Sequence, residues 1–436
     1  MLNAALSGKL YAGNPHVRFD EKGVALEKPR HGSLLSADRI ASKCLWVLGV
    51  IVGVVFGTQA ARLTYVGTDG GNWTASNVWK TETGEACSWT DGNTAVISNV
   101  SVKLPSNVTV EGLEWSTKAK KTLTGNGKLT IGAGGIINGG SSEVNLNPAG
   151  GIHLSASQTW KTSGTSKRML CLDGGRSVTA ASGITITVSG GLEVRWAANG
   201  SLTSSETMYF TGSSYFSPAA SRGLGSPTLI FDGYRNGANW ISSYGESTDS
   251  RNWEKMASKL VLRNGACIKL HRASKFNIPE IVVDGTGDKT STIKPATSGT
   301  PLSMLAAETH FDVAENCSLS FDVPFAESGV SAKIVKDGLG SLTVTTSNSY
   351  SGGLEVLKGK MTLSSSGAEG TGPVSVASGA TLRLAQGITV RQAAIPAGTI
   401  ELNGGNVVMT EDAEITQEDD KTECLHVDIL AKHIGG

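Results

Sequence analysis

The stretch Gly183-Ile184-Thr185-Ile186-Thr187-Val188 alternates apolar β-branched residues with threonine directly after a glycine. A period of two residues places the apolar side chains on one face of an extended strand and the threonines on the other. Similar segments, about four to six residues long, recur after residue 61 and are separated by Gly, Asn or Ser-Gly. Their spacing of roughly seven to twelve residues leaves no room for crossover helices, so it predicts an all-β protein.

Two all-β architectures fit this pattern: a series of antiparallel sandwiches, or a solenoid whose strands stack in parallel. Sandwiches require hairpin-linked strands and linkers between domains, and no proline-rich linker divides this chain. The continuous glycine punctuation favours the solenoid. We therefore predict a right-handed parallel β-helix in which Val, Ile and Leu fill the interior while Thr, Ser, Lys and Asn point outward.

The predicted solenoid divides the chain into five parts. Residues 1–61 form a leader, residues 62–140 form Trp-rich capping coils, and residues 141–331 form the body of the β-helix. Residues 332–385 carry a repeat motif, and residues 386–436 form one or more terminal coils and a polar tail.

Composition excludes several functional classes. The chain has 436 residues, with 38 Lys and Arg against 38 Asp and Glu, so it offers no basic surface for a nucleic acid. Charged residues make up 17% of the chain, which is too few for an intrinsically disordered protein. Histidines and cysteines are scattered singly, and no nucleotide-binding motif occurs. We therefore predict no cofactor and no metal site.

An apolar run at residues 44–57 decides the expected compartment. It is shorter than the ~20 residues that a membrane-spanning helix needs, and it suits the apolar core of an export signal. The residues after Gly57 are Thr-Gln-Ala-Ala, which predict cleavage by a signal peptidase after Ala60 or Ala61. An uncleaved N-terminal anchor is the alternative. In both cases the remaining chain is expected outside the cell or on its outer surface, with membrane contact only through the leader.

A repeat motif lies within residues 334–363. It reads Lys336-Asp-Gly338-Leu-Gly340-Ser-Leu342-Thr-Val344, then Asn348-Ser-Tyr350-Ser-Gly352-Gly353, then Val356-Leu-Lys-Gly359. This motif resembles the autotransporter-associated β-strand repeat, also called the passenger-associated transport repeat. The matching positions are Gly338, Gly340, Leu342, Thr343, Asn348, Tyr350, Gly352, Gly353, Val356 and Gly359.

The resemblance covers about 50 residues, and it implies a parallel β-helix displayed outside the cell. It implies no reaction. Passengers of this family usually precede an outer-membrane barrel built from alternating strands, and the residues after Leu384 do not follow that pattern. We therefore expect no translocator barrel in this sequence.

Two sets of residues are candidates for ligand contacts. Trp73, Trp79 and Trp89 are close in sequence and could stack on sugar rings, although we favour the interpretation that they seal the apolar first coil. Asp312 and Asp322 are weak candidates for catalysis, because they occupy the paired segments Phe-Asp-Val. Their offset of about half a coil would place them on different faces.

These observations predict an exported, non-enzymatic structural or adhesin-like protein. A long, flat and weakly charged face of Ser, Thr and Asn would contact an extracellular surface or glycan whose identity the residues do not specify. The alternative is a carbohydrate-active β-helix, which would bind glycans through the three tryptophans or cleave polysaccharide with Asp312 or Asp322.

Overall fold

The computed structural model describes residues 60–163, 168–212, 214–218, 223–233, 257–270, 275–276, 278–286, 289–295, 303–304, 307–327, 329–394 and 398–409. The predicted apolar core of the leader at residues 44–57 lies outside these ranges, as does the part of the predicted tail after residue 409.

The described chain is built from 37 short strands. The strands before residue 164 are β1 (Arg62–Tyr65), β2 (Gly71–Asn72), β3 (Trp79–Lys80), β4 (Ala86–Cys87), β5 (Asn93–Ser98), β6 (Val102–Lys103), β7 (Val108–Ser116), β8 (Lys121–Thr124), β9 (Leu129–Asn138), β10 (Val144–Leu146), β11 (Ile152–Leu154) and β12 (Gln158–Thr162).

The strands of the middle part are β13 (Arg168–Leu172), β14 (Ser177–Ala180), β15 (Thr185–Ser189), β16 (Leu192–Trp196), β17 (Asn199–Gly200), β18 (Thr207–Thr211), β19 (Tyr215–Pro218), β20 (Thr228–Asp232), β21 (Lys259–Arg263), β22 (Cys267–Leu270), β23 (Lys275–Phe276), β24 (Glu280–Asp284), β25 (Ser291–Pro295) and β26 (Ser303–Met304).

The remaining strands are β27 (Glu308–Val313), β28 (Ser318–Phe321), β29 (Lys333–Asp337), β30 (Ser341–Val344), β31 (Gly353–Val356), β32 (Lys360–Leu363), β33 (Val374–Val376), β34 (Thr381–Leu384), β35 (Thr389–Ala394), β36 (Thr399–Glu401) and β37 (Asn406–Met409).

These strands form a parallel β-helix, which confirms the predicted fold class. One sheet of 21 strands, the long sheet, includes β1, β5, β15, β27 and β37. Two sheets of seven strands pack against it: the N-terminal short sheet runs from β2 to β19, and the C-terminal short sheet runs from β22 to β36. Strands β23 and β26 form a small separate pair. No helix occurs in the ranges that the structure describes.

Parallel pairing in register places similar side chains above one another. In the long sheet Ile186 pairs with Met208, Met208 pairs with Leu229, and Leu229 pairs with Leu260. All four side chains are fully buried between the sheets. Burying an aliphatic side chain of this size contributes about 1.5–3 kcal/mol, so the core is a sum of modest contributions repeated coil after coil.

Asparagine side chains join successive coils at several corners. The Oδ1 atom of Asn107 accepts a hydrogen bond from the backbone N–H of Lys128 at 2.9 Å, and that of Asn264 accepts one from Thr286 at 3.0 Å. Asn264 has a φ of 52°, a left-handed conformation that asparagine tolerates better than most residues. Each such bond ties the corner of one coil to the backbone of the next.

The long sheet is continuous, whereas its opposite wall is interrupted. Strands β18, β20, β21 and β24 pair one after another in the long sheet. Across the interior, the N-terminal short sheet ends at β19 and the C-terminal short sheet begins at β22. Residues 234–256, which lie between β20 and β21, are outside the described ranges.

Within the described residues, no helix has the length and apolar character that a membrane crossing requires. Four cysteines lie in those residues: Cys87 is half-buried, and Cys171, Cys267 and Cys317 are buried. Burial raises the pKa of the Cys171 thiol, so this side chain acts as a small buried hydrophobe.

Candidate functional site

The three predicted tryptophans come together at the N-terminal end of the β-helix. The ring centroids of Trp73 and Trp79 are 4.8 Å apart, those of Trp79 and Trp89 are 4.8 Å apart, and those of Trp73 and Trp89 are 5.0 Å apart. The indole N–H of Trp79 donates to the backbone carbonyl of Trp73 at 2.7 Å. The indole N–H of Trp89 donates to Asp91 Oδ1 at 2.9 Å. We call this cluster the tryptophan cap.

A small antiparallel arrangement holds the tryptophan cap in place. Strand β3, which carries Trp79, pairs antiparallel with both β1 and β4. Trp73 and Trp79 are 0% exposed, whereas Trp89 is half-buried. The less favoured interpretation, that these indoles stack on sugar rings, does not hold for Trp73 and Trp79, because a sugar cannot reach a face that the protein interior covers. Their packing agrees with the favoured interpretation as an end seal.

Asp312 and Asp322 lie on opposite walls of the β-helix. Asp312 belongs to β27 of the long sheet, and Asp322 follows directly after β28 of the C-terminal short sheet. The preceding residues, Phe311 and Phe321, meet inside with their ring centroids 5.4 Å apart. Because side chains alternate along a strand, the two aspartates point outward in opposite directions. They cannot act on one substrate as a pair.

The groups around each aspartate form ion pairs or hydrogen bonds within the β-helix, and they do not form the surroundings of a catalytic acid. Asp312 is in register with Asp337 on β29, and Asp337 forms an ion pair with Lys358 at 3.0 Å. A hydrogen bond from the backbone N–H of Gly338, followed by the contact with Lys358, lowers the pKa of Asp337. A glycosidase needs a carboxyl whose pKa is raised so that it can donate a proton, and Asp337 is shifted in the other direction. On the opposite wall, Asp322 accepts bonds from Ser320 and Thr345 at 2.7 and 2.8 Å.

The repeat motif contains a lysine that points into the interior. Lys336 is 0% exposed and is in register with Phe311 and Val356, which are interior residues. Its ammonium group donates to the backbone carbonyls of Asp337 at 2.8 Å, Gly338 at 2.7 Å and Lys358 at 3.1 Å. Burial lowers the pKa of Lys336 to about 8. Lys336 therefore joins two successive coils from inside the corner.

The motif glycines stand where two coils touch. A Cβ atom on Gly338, whose φ is 74°, would lie 2.2 Å from the carbonyl oxygen of Val313. A Cβ atom on Gly340 would lie 2.2 Å from that of Ala314, and one on Gly359 would lie 2.5 Å from that of Gly340. Only glycine fits at these three corners without moving the backbone of a neighbouring coil.

Asn348 and Tyr350 connect their coil to the coils on both sides. The Oδ1 atom of Asn348 accepts the backbone N–H of Phe325 at 2.8 Å, and its Nδ2 atom donates to the carbonyl of Ala368 at 2.9 Å. The hydroxyl of the buried Tyr350 donates to the same Ala368 carbonyl at 3.3 Å, and its ring packs edge-on against Phe325. These two motif residues act as staples along the axis.

The rest of the motif completes the close stacking. A Cβ atom on Gly352 would lie 2.6 Å from the carbonyl oxygen of Ala332, and one on Gly353 would lie 2.6 Å from that of Pro373. Leu342 and Val356 are fully buried in the interior. All the motif positions named from the sequence except Thr343, whose side chain points outward, therefore contribute to the stacking of coils, and none of them forms an external pocket within the described chain.

The outer surface of the C-terminal short sheet carries rows of hydroxyl groups. Thr292, Ser320, Thr343 and Thr362 are successive partners on four adjacent strands. A parallel row begins with Thr290, whose hydroxyl lies 2.8 Å from that of Ser318, and Ser318 pairs with Ser341. We call the outward surface formed by these residues the hydroxyl face: Thr290, Thr292, Ser318, Ser320, Ser341, Thr343, Thr345, Thr362 and Ser364.

The hydroxyl face differs from the wall opposite. Adjacent strands lie about 4.7–4.9 Å apart, so its side chains repeat at this interval along the axis. Thr292, Thr343 and Thr362 are half-buried and make no side-chain hydrogen bond in the described chain, so their hydroxyls face solvent. The long sheet carries ion pairs instead: Lys333 with Glu355 in the same coils, and, starting one coil earlier, Lys259 with Glu280 at 2.6 Å and Arg263 with Asp284 at 2.7 Å.

Within the described ranges, no three His, Cys, Asp or Glu side chains gather in a group that could hold a metal ion. The outward placement of Ser and Thr was predicted from the alternating pattern, but the identity of the strands that align them was not.

Comparisons with known protein families, with curated proteins and with solved structures find no match to this chain.

Proposed function

We propose that the protein is an exported, non-enzymatic rod of structural or adhesin-like character, and that the hydroxyl face is its contact surface. The single observation that carries this proposal is the register of Thr292, Ser320, Thr343 and Thr362 on four adjacent strands. A flat row of uncharged donors and acceptors suits many weak, repeated hydrogen bonds to an extended partner.

The charge distribution supports a neutral partner. The charged side chains that border the hydroxyl face are partnered: Asp322 accepts hydrogen bonds from Ser320 and Thr345, and Lys360 and Arg383 lie 2.9 and 3.8 Å from Glu401. Ion pairs cover the opposite wall and already satisfy one another, for example Arg263 with Asp284. A partner with many hydroxyls, such as a neutral glycan, would lose less hydration on the hydroxyl face than on a charged surface.

The alternative of polysaccharide cleavage has less support. Asp312 and Asp322 face away from each other, and the carboxylate beside Asp312 belongs to the ion pair of Asp337 with Lys358. The alternative of sugar binding by the tryptophan cap is reduced to Trp89, because Trp73 and Trp79 are buried.

A binding assay with two matched variants tests the contact surface. The exported protein is applied to immobilised neutral glycans and to whole cells. Thr343→Lys combined with Thr362→Lys places two large charges on the hydroxyl face, and we expect retention to fall at least tenfold. Thr185→Lys combined with Thr187→Lys makes the same change on half-buried outward positions of the long sheet, where we expect no loss. Equal retention of both variants and the wild type would remove the hydroxyl face from the proposal.

The compartment is tested separately by cell fractionation with an antibody against residues 62–163. We expect the protein in the extracellular or outer-surface fraction. Recovery of the full-length chain in the cytosol would contradict export.

A further inference from the structure

The first residues of the described chain show where the folded domain begins. The backbone N–H of Ala61 donates to Asn93 Oδ1 at 3.0 Å, and the carbonyl of Ala61 accepts the backbone N–H of Thr94 at 2.8 Å. The next residue, Arg62, forms a two-point contact with Glu114 at 2.6 and 2.8 Å. Ala61 is therefore the first described residue that hydrogen-bonds to the β-helix.

Asn93 is itself held in position to receive Ala61. Its Nδ2 atom donates to the carbonyl of Thr90 at 3.0 Å and to the hydroxyl of Thr90 at 3.1 Å. These two bonds identify Nδ2 as the donor side of the amide, so Oδ1 is the acceptor directed at Ala61. The position of this acceptor does not depend on a chain terminus, because Asn93 is the first residue of β5 and is held by Thr90.

The sequence before Ala61 distinguishes between the two cleavage positions that the leader allows. A signal peptidase requires small residues at the first and third positions before the cut. A cut after Ala60 places Ala60 and Thr58 there, whereas a cut after Ala61 places Gln59 at the third position. The second cut would also remove Ala61 and both of its bonds with the first coil.

We propose that a signal peptidase hydrolyses the Ala60–Ala61 bond, and that Asn93 binds the amino terminus that this cut creates. Water supplies the hydroxyl group that converts the carbonyl of Ala60 into a carboxylate, and the released nitrogen of Ala61 takes up protons to become an ammonium group. The inference rests on the proposed export of the chain. It adds a defined processing site and a residue that receives the product.

The change from amide to ammonium strengthens the contact. An ammonium donor forms a charge-assisted hydrogen bond, which is roughly twice as strong as a bond between neutral groups. Ala61 is exposed, so the positive charge keeps most of its hydration while one proton points at Asn93 Oδ1. Processing therefore fastens strand β1 to the first coil, next to the tryptophan cap.

The cleavage site is tested with the full-length chain in a secretion-competent bacterial host. The mass and N-terminal sequence of the exported product are expected to show a chain that begins at Ala61. Ala60→Leu puts a large side chain at the first position before the cut, and we expect at least a tenfold loss of processed product. Gln59→Leu is the matched control at the second position, where we expect normal processing.

The outcomes separate this inference from the proposed function. An exported product that begins at Arg62 or elsewhere, or one that keeps the whole leader, overturns the inference and leaves export intact. A full-length chain confined to the cytosol overturns the proposed function and the inference together.

The role of Asn93 is tested by hydrogen exchange of the amides of residues 63–65, which are present in chains that begin at Ala61 or at Arg62. Asn93→Ala should make these amides exchange several-fold faster when the chain begins at Ala61. The control is a precursor from which Ala61 is deleted, after mass measurement confirms that its product begins at Arg62. In this control, Asn93→Ala should accelerate exchange less, because only the contacts of Asn93 with Thr90 are lost. The loss of those contacts is common to both backgrounds. Equal effects in both would show that Asn93 does not bind the amino terminus.

Discussion

The N-terminal and C-terminal short sheets pack against the same long sheet, but different side chains fill the interior in the two halves. The N-terminal half of the interior contains Trp115, Trp160 and Trp196, all nearly or fully buried. The repeat motif in the C-terminal half contains no tryptophan, and Leu342, Val356 and Tyr350 fill its interior. One coil of the motif is shorter than a coil of the N-terminal half: Leu342 pairs with Met361, whereas Val144 pairs with Leu170. In the motif, the backbones of successive coils approach each other closely at glycines.

This difference predicts two kinds of sensitivity. The N-terminal half should depend on the volume of a few large side chains. The repeat motif should depend on the absence of side chains at its corners and on hydrogen bonds that join one coil to the next.

The largest effect is expected for Trp160→Ala. Trp160 is fully buried and its indole N–H donates to Gln158 Oε1 at 2.8 Å, so the substitution removes both volume and a buried hydrogen bond. We expect the free energy of unfolding to fall by about 3–5 kcal/mol in chemical denaturation. The control is Thr159→Ala at the adjacent exposed position, with an expected change below about 0.5 kcal/mol. A loss for Trp160→Ala no larger than for its control would show that indole volume does not support the N-terminal half.

The next effect is expected for Gly338→Ala. Its φ of 74° and the 2.2 Å distance from the new Cβ atom to the Val313 carbonyl combine backbone strain with overlap. We expect a loss of about 2–4 kcal/mol in the free energy of unfolding. Gly379 has a φ of 75° with nothing within 4 Å of a new Cβ atom, so Gly379→Ala isolates the strain and should cost about 1–2 kcal/mol. Equal losses would mean that the contact between coils is not the cause.

Lys336 adds a pH dependence to the stability of the repeat motif. The pKa of a free lysine is about 10.4. In the folded chain burial lowers the pKa of Lys336 to about 8. Between these values the unfolded chain binds more protons than the folded chain, so the free energy of unfolding should rise with pH.

The measurement compares the wild type with Lys336→Met from pH 7 to pH 10. The difference between the two free energies of unfolding should be flat below about pH 8 and should shift by about 1–3 kcal/mol in favour of the wild type as the pH rises. The comparison cancels the titration of other groups. A difference that stays flat throughout would show that Lys336 keeps an ordinary pKa.

The smallest effect is expected for Asn348→Ala. The substitution removes the hydrogen bonds to Phe325 and Ala368 in the coils on either side, and we expect a loss of about 1–2 kcal/mol in thermal or chemical unfolding. Ser349→Ala, at the exposed neighbouring position, serves as the control. If the two variants unfold alike, the asparagine staple contributes nothing to the stacking of coils.

The strand pattern predicted the architecture because the strand period is visible locally. The alternation in residues 183–188 predicted a strand with the buried residues Ile186 and Val188, and the structure has this strand as β15. The separation of Asp312 and Asp322 also followed from their offset. The antiparallel pairing in the tryptophan cap was not predicted, because β3 and β4 have only two residues each and carry no periodic signal.

Other features depend on contacts between coils, which a single segment does not contain. Lys336 occupies an interior position in phase with Ile334, yet lysine normally points outward. The only indication in the sequence was that Lys336 is two residues from Ile334 and so lies on the same face of the strand. The three carbonyl groups that accept its hydrogen bonds come from corners formed by two coils. The alignment of the hydroxyl groups on the hydroxyl face likewise depends on the pairing register of four strands, which could not be predicted from the sequence.

The paired contacts of Asn348 bear on how proteins of this architecture change length. The side chain accepts an N–H from the preceding coil and donates an N–H to the following coil, so this coil presents to its successor the same kind of hydrogen-bond donor that it receives. An in-frame duplicate of this coil would therefore meet a donor on one side and an acceptor on the other. The number of coils could then grow or shrink by recombination within a gene while the sealed N-terminal end stayed unaltered.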